Sequence, residues 1–163
     1  MHSRVFVLLA KDNIFNENYG YPIADEIVNQ IPEADFCGQG DLEKDIKWFK
    51  KVYGEDTVGD REEFSIKDND VIVGYKLNAE VFKKSLEKNF TEILKKVTKV
   101  LLKKDDDIFK KAQLIEEISF IVNPGGFYFY IDGYGVMSEV DLVLYALEDF
   151  KEYYIIDTFD YHF

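Results

Sequence analysis

Cysteine and histidine are nearly absent from this 163-residue chain: Cys37 is the single cysteine, and the two histidines, His2 and His162, stand at opposite ends. One cysteine excludes an intrachain disulfide and a zinc site built from thiolates. A free thiol of this kind is expected to behave as a small buried hydrophobe. His2 falls in a terminus expected to fray, so His162 is the one imidazole placed to act as a general base. Ser-His-Asp and Cys-His constellations are therefore not expected.

Long apolar runs are missing too. The amino-terminal run from Val5 to Ala10 is six residues, too short for a signal-peptide core or a membrane span. A cytoplasmic protein with no membrane partner is the expectation. Phosphate-binding glycine patterns do not occur: Gly38-Gln39-Gly40 lacks the third glycine of a dinucleotide fingerprint, and no Gly-Lys-Ser/Thr tripeptide exists. The sequence contains neither an internal repeat nor a low-complexity linker. With 47% hydrophobic and 16% aromatic residues it is too apolar for intrinsic disorder. One globular domain spanning residues 1–163 is expected.

What the chain has in quantity is charge, and the charge is segregated. The net charge is −12. Between Lys83 and Lys111, ten lysines face five acids, a net of +5 that leaves −17 for everything else. From Ala112 to Phe163 there are ten acids and one basic side chain, Lys151. Such a field bears on partners and encounter rates rather than on chemistry. The basic segment contains no arginine, the residue that grips phosphate bidentately, and intersperses Glu among its lysines opposite an apolar stripe. That is the pattern of a solvated helix face, and no direct contact with nucleic acid is expected.

The periodicity predicts the elements. Val5–Leu9 suits a buried strand. Pro22 and Pro32 bracket a short helix with Ile23, Ile27 and Ile31 on one face, and residues 33–40 read as a loop. Asp41 caps a helix with Leu42, Ile46, Phe49 and Tyr53 inward, and Gly54 stops it. Residues 55–63 read as a second loop, followed by a hairpin of Phe64–Ile66 and Val71–Val73 about Lys67–Asp70. Asn78 caps a long helix whose stripe, Phe82, Leu86, Phe90, Ile93, Leu94, Val97 and Leu101, is assigned to the core. Asp105–Asp107 open another helix, with Ile108, Ala112, Ile115 and Ile118 in register. Asn123-Pro124-Gly125-Gly126 is a turn, Phe127–Ile131 a strand and Gly133-Tyr134-Gly135 a second turn. Ser138 and Asp141 resemble a capping box opening a helix through Val140, Val143, Leu144 and Leu147. The run from Tyr153 to Phe163 is a strand expected to be paired inside the sheet. The fold class is α+β, with a mixed or mainly antiparallel sheet and several packed helices.

Two clusters are candidate sites. Asp157, Asp160 and His162 are the nearest approach to a metal set, but on an extended strand Asp160 and His162 share a face that Asp157 leaves. Neither a metal nor a cofactor is expected there, and a metal-dependent hydrolase using these three residues is the alternative from another class. The second cluster is the acidic, tyrosine-rich carboxy-terminal third. Tyrosine offers rigid area with a polar tip, and carboxylates beside it complement a cationic protein. Tyr134, Asp141, Glu148, Asp149 and Tyr153 are the predicted partner-binding residues. The expected class is a non-enzymatic acidic inhibitor of a basic protein, most concretely an immunity protein that neutralises a nuclease toxin. An anti-defence protein that mimics DNA is the alternative with the same composition.

Overall fold

The computed structural model describes residues 2–16, 22, 24–31, 36–66, 70–102, 107–122, 127–147 and 151–162. Its frame is a mixed sheet with helices on both faces, an α+β architecture. From Val5 onward strand β1 (His2–Ala10) reads as an unbroken apolar run because both of its faces are covered. Val5, Val7 and Leu9 enter one core and Phe6 and Leu8 the other.

The last strand, β7 (Tyr153–His162), lies at the centre of the sheet. It runs antiparallel to β1 along its whole length. Its other side is shared: β4 (Val71–Leu77) pairs with Tyr153–Ile155, and β2 (Phe36–Gln39) pairs with Phe159–His162. Outside β4 lies the edge strand β3 (Val58–Ser65). Beyond β1 come β5 (Tyr128–Ile131), parallel to it, and β6 (Gly135–Met137), antiparallel to β5. A terminal strand this apolar is thus paired on both sides, as its composition implies.

A bulge in β7 decides which side chains meet. Val7 lies opposite Asp157 and Leu8 opposite Ile155, which leaves Ile156 as the additional residue. The parity of the strand changes there. Tyr154 before the bulge, Ile156 in it, and Phe159 and Tyr161 after it all face the core beneath α1 (Ala24–Val28). Thr158 and Asp160 are thereby turned toward α2 (Leu42–Tyr53) on the opposite face.

On that second face the core is aromatic. Phe49 of α2 lies 5.0 Å from Phe6, 4.5 Å from Tyr53 and 5.6 Å from Phe82, centroid to centroid. The helix begins where the Asp41 carboxylate accepts from the Lys44 backbone N–H at 3.1 Å, and it ends at Gly54, whose φ of +111° suits glycine. Asn78 caps α3 (Ala79–Leu101) in the same way, accepting from the Val81 N–H at 3.2 Å.

Five expectations are corrected. Residues 36–39 form β2 rather than loop, because a four-residue strand with a central glycine shows no alternation of its own. Residues 55–63 hold a 3₁₀ turn (Glu55–Thr57) and most of β3, whose side chains are almost all exposed because β3 is a charged edge strand. Cys37, expected to be buried, is half-exposed, and burial with nearby Asp160 pushes its thiol up to about 11. In α3 the stripe assigned to the core is buried only in part. Phe82 and Leu86 reach the sheet core, Phe90, Ile93 and Val97 are half-covered, and Leu94 and Leu101 are exposed. Helix α4 (Ile108–Val122) packs on α3, and its predicted inward positions Ile108 and Ile115 face outward. The turns about Lys67–Asn69 and Asn123–Gly126, Ile23 of the first helical stripe, and Asp105 and Asp106 lie outside the described residues.

Candidate functional site

The acidic carboxy-terminal surface is built on the hairpin β5–β6 and the short helix that follows. Gly133 (φ +86°) and Gly135 (φ +78°) make the hairpin turn, which carries Tyr134 and Asp132 into solvent. Gln30, just after α1, fixes that turn: its side-chain oxygen accepts from the Val136 N–H at 2.9 Å. A Cβ on Gly135 would stand 2.5 Å from the same oxygen, so a larger residue there would push the Gln30 side chain off Val136 as well as strain the backbone. Tyr134 is 52% exposed and available to a partner.

At the other end of β6 the chain enters α5 (Glu139–Asp141), which continues as a π-helical turn, Leu142–Ala146. Ser138 caps it: the Asp141 N–H donates to the Ser138 hydroxyl at 3.1 Å, and that hydroxyl donates to the Asp141 carboxylate at 2.7 Å. The π turn closes through the Leu147 N–H to the Leu142 carbonyl at 2.9 Å. This wider turn changes which residues face inward. Leu142, Ala146 and Leu147 are buried, whereas Val140, Leu144 and Tyr145 stand exposed beside Asp141. Val140 and Leu144, expected in the core on an α-helical period, are therefore surface residues.

Tyr134 and the α5 end are separated by the length of β6, about 13 Å of extended chain. Tyr153 is no surface residue at all: it is 4% exposed, and its hydroxyl donates to the Ala146 carbonyl at 2.7 Å. Its tyrosine hydroxyl serves the end of the π turn, and the residue leaves the set that can touch a partner. Glu148 and Asp149 lie outside the described residues. Sequence reading did not anticipate the exposure of Leu144, and no sequence signal distinguishes a π turn from an α-helix here.

Behind α5 the Glu139 carboxylate is held in the protein, where it accepts from the Tyr53 hydroxyl. Burial pushes Glu139 above the ordinary carboxylate range, opposed by the Tyr53 hydrogen bond. Tyr53 is pushed well up by the same burial and by the charge of Glu139.

The metal-like set is taken apart by the fold. Asp157 lies opposite Val7 and accepts from Gln39 at 2.6 Å, on the face away from Asp160. Asp160 pairs with the Arg4 guanidinium, which also bonds Asp45 at 2.7 Å. Arg4 lies 5.8 Å from the Trp48 ring centroid, within cation–π range. Among the described residues no group of three or more His, Cys, Asp or Glu side chains is placed to hold a metal ion.

The lysine face of α3 is exposed, with Lys84 paired to Glu80 at 2.6 Å and Lys95 to Glu92 at 2.7 Å. Among the described residues no helix is long and apolar enough to cross a membrane. Comparison of the chain with protein-family models, with curated proteins and with solved structures finds no match in any of the three.

Proposed function

We propose that the protein is an acidic inhibitor that binds a basic protein, most concretely an immunity protein occluding the nucleic-acid site of a nuclease toxin. The observation that carries this reading is the carboxy-terminal surface. From Ala112 onward ten acids meet one lysine, and Tyr134, Val140, Leu144 and Tyr145 stand exposed within that acidic stretch. Apolar and aromatic anchors supply binding energy, and the carboxylates of Asp132 beside Tyr134 and of Asp141 beside Val140 and Leu144 raise the encounter rate with a cationic partner. A nuclease presents such a partner surface, because its site must attract phosphate.

The test is capture of the partner from the native cells, followed by binding kinetics with the purified partner. Association should slow clearly as salt rises, since screening sets in over about 8 Å at physiological ionic strength. Asp132→Lys with Asp141→Lys should weaken binding at least about tenfold, or 1.4 kcal/mol, while Glu55→Lys with Asp56→Lys should not. A partner that is a DNA-binding defence protein rather than a nuclease toxin would move the reading to DNA mimicry. A salt-independent association rate would end both.

A further inference from the structure

Helices α3 and α4 leave the body of the protein as an arm. Helix α3 is 23 residues, about 34 Å long, and only its first turns reach the sheet core. Between Leu86 and Val100 no residue of α3 is buried, and neither is any described side chain of α4. Soluble helices ordinarily keep large apolar side chains off such a surface. Here Leu94, Leu101, Leu102, Ile108, Phe109 and Ile115 are all exposed, by 64 to 82%. Leu94 and Leu101 are two turns apart on one edge of α3, and Ile108 and Ile115 are two turns apart on α4, so each pair forms a stripe. Stripes of this kind mark an interaction site.

Charge identifies what covers them. The ten lysines of the basic segment belong to this arm, whose residues 79–122 carry ten lysines and eight acids, a net of +2, and Lys95, Lys96, Lys99 and Lys111 are exposed around its apolar side chains. A second arm is a poor occupant, because two such segments repel. The rest of the chain carries −14, and it holds an exposed apolar patch of its own, Val140, Leu144 and Tyr145, next to Asp141. We infer that the α3–α4 arm docks on the α5 surface of a second copy of this chain. Apolar stripe meets apolar patch, and lysines meet carboxylates. When each copy lends its arm to the other, the reciprocal contact is isologous and closes as a two-fold dimer. It also covers part of the surface assigned above to a basic partner, so self-association and inhibitor binding would compete; the self-association itself does not depend on that assignment.

Sedimentation of the full chain at rising concentration tests this directly. A dimer or larger assembly should form at low salt and dissociate as salt rises. Lys95→Glu with Lys96→Glu and Lys99→Glu should abolish it, as should Asp141→Lys with Leu144→Arg, each with an unchanged far-ultraviolet spectrum. Mixing the two variants should restore a heterodimer, because one retains a working arm with a reversed patch and the other the converse, with the reversed charges now opposed. In wild-type protein, zero-length carbodiimide cross-links between isotope-labelled and unlabelled copies should join arm lysines to carboxylates near α5. A chain that stays monomeric at all concentrations overturns the inference. So does association strengthened by the lysine reversals, which would mean arm on arm, and so does an arm that binds anionic vesicles or DNA while the protein remains monomeric. Loss of partner binding with the dimer intact would count against the inhibitor reading alone.

Discussion

Asp45 is 2% exposed and joins two strands, β1 and β7, to α2. Its carboxylate accepts from Arg4 Nε of β1 at 2.7 Å and from the Thr158 hydroxyl of β7 at 2.7 Å, while the Gly40 N–H at the end of β2 donates to the Thr158 carbonyl at 2.8 Å. Gly40 closes the arrangement: a Cβ there would lie 2.8 Å from the Thr158 carbonyl and 2.9 Å from the Asp45 carboxylate. Thr158→Val replaces the hydroxyl with a methyl of nearly the same shape and leaves one carboxylate oxygen against hydrocarbon. A buried hydrogen bond to a charged group is worth about 1.5–3 kcal/mol, and Thr158 is wholly buried, so solvent cannot substitute. The expected destabilisation is about 2–3 kcal/mol, which for a chain of this size lowers Tm by roughly 5–10 °C. Trp48 is the sole tryptophan and lies 4.7 Å from the Phe127 ring, a position suited to follow urea unfolding by fluorescence. Combining Thr158→Val with Asp45→Asn isolates the pair, and a coupling energy of about 1 kcal/mol or more is expected. A Thr158→Val protein within about 0.5 kcal/mol of wild type would refute the reasoning, and with it the view that this carboxylate ties the two helical and strand layers together.

Two further outcomes follow from groups near α5. Glu139 is raised by burial, so the folded state binds its proton more tightly than the unfolded chain, whose carboxyl titrates near 4.5. Stability contributed by that proton is present below the unfolded value and is lost as pH climbs through the raised one. Glu139→Gln, which keeps an acceptor for Tyr53, should therefore raise stability at neutral pH and flatten the decline above the ordinary carboxylate range, as read from urea titrations at stepped pH; an unchanged profile would show that the buried carboxyl is not desolvated. Tyr153→Phe removes the hydrogen bond to the Ala146 carbonyl and should cost about 1 kcal/mol in thermal unfolding. It should leave partner affinity untouched, and a tenfold loss of affinity would place Tyr153 at the interface after all.

Local patterns determined a good deal. Asp41, Asn78 and Ser138 act as caps because each puts a side-chain oxygen where a helix leaves its first N–H groups unpaired, a property of a few neighbouring residues. The apolar run of β1 signalled a strand covered on both faces, and the apolar end of the chain signalled a strand paired inside the sheet. The segregated charge is likewise a property of composition alone. Elements made by pairing were not legible: β2 exists because Phe36–Gln39 finds β7, and β3 because its backbone finds β4, with no periodic burial to announce either. The Ile156 bulge is the same kind of fact, since it arises from register between β1 and β7, and it alone sends Asp160 and Thr158 toward α2. Tertiary structure also decided which apolar stripes are core. A period of 3.6 shows that a helix has an apolar face but not whether anything lies against it, and in α3 the sheet ends before the helix does. For that reason Phe82 is interior and Leu101, on the same predicted stripe, is surface.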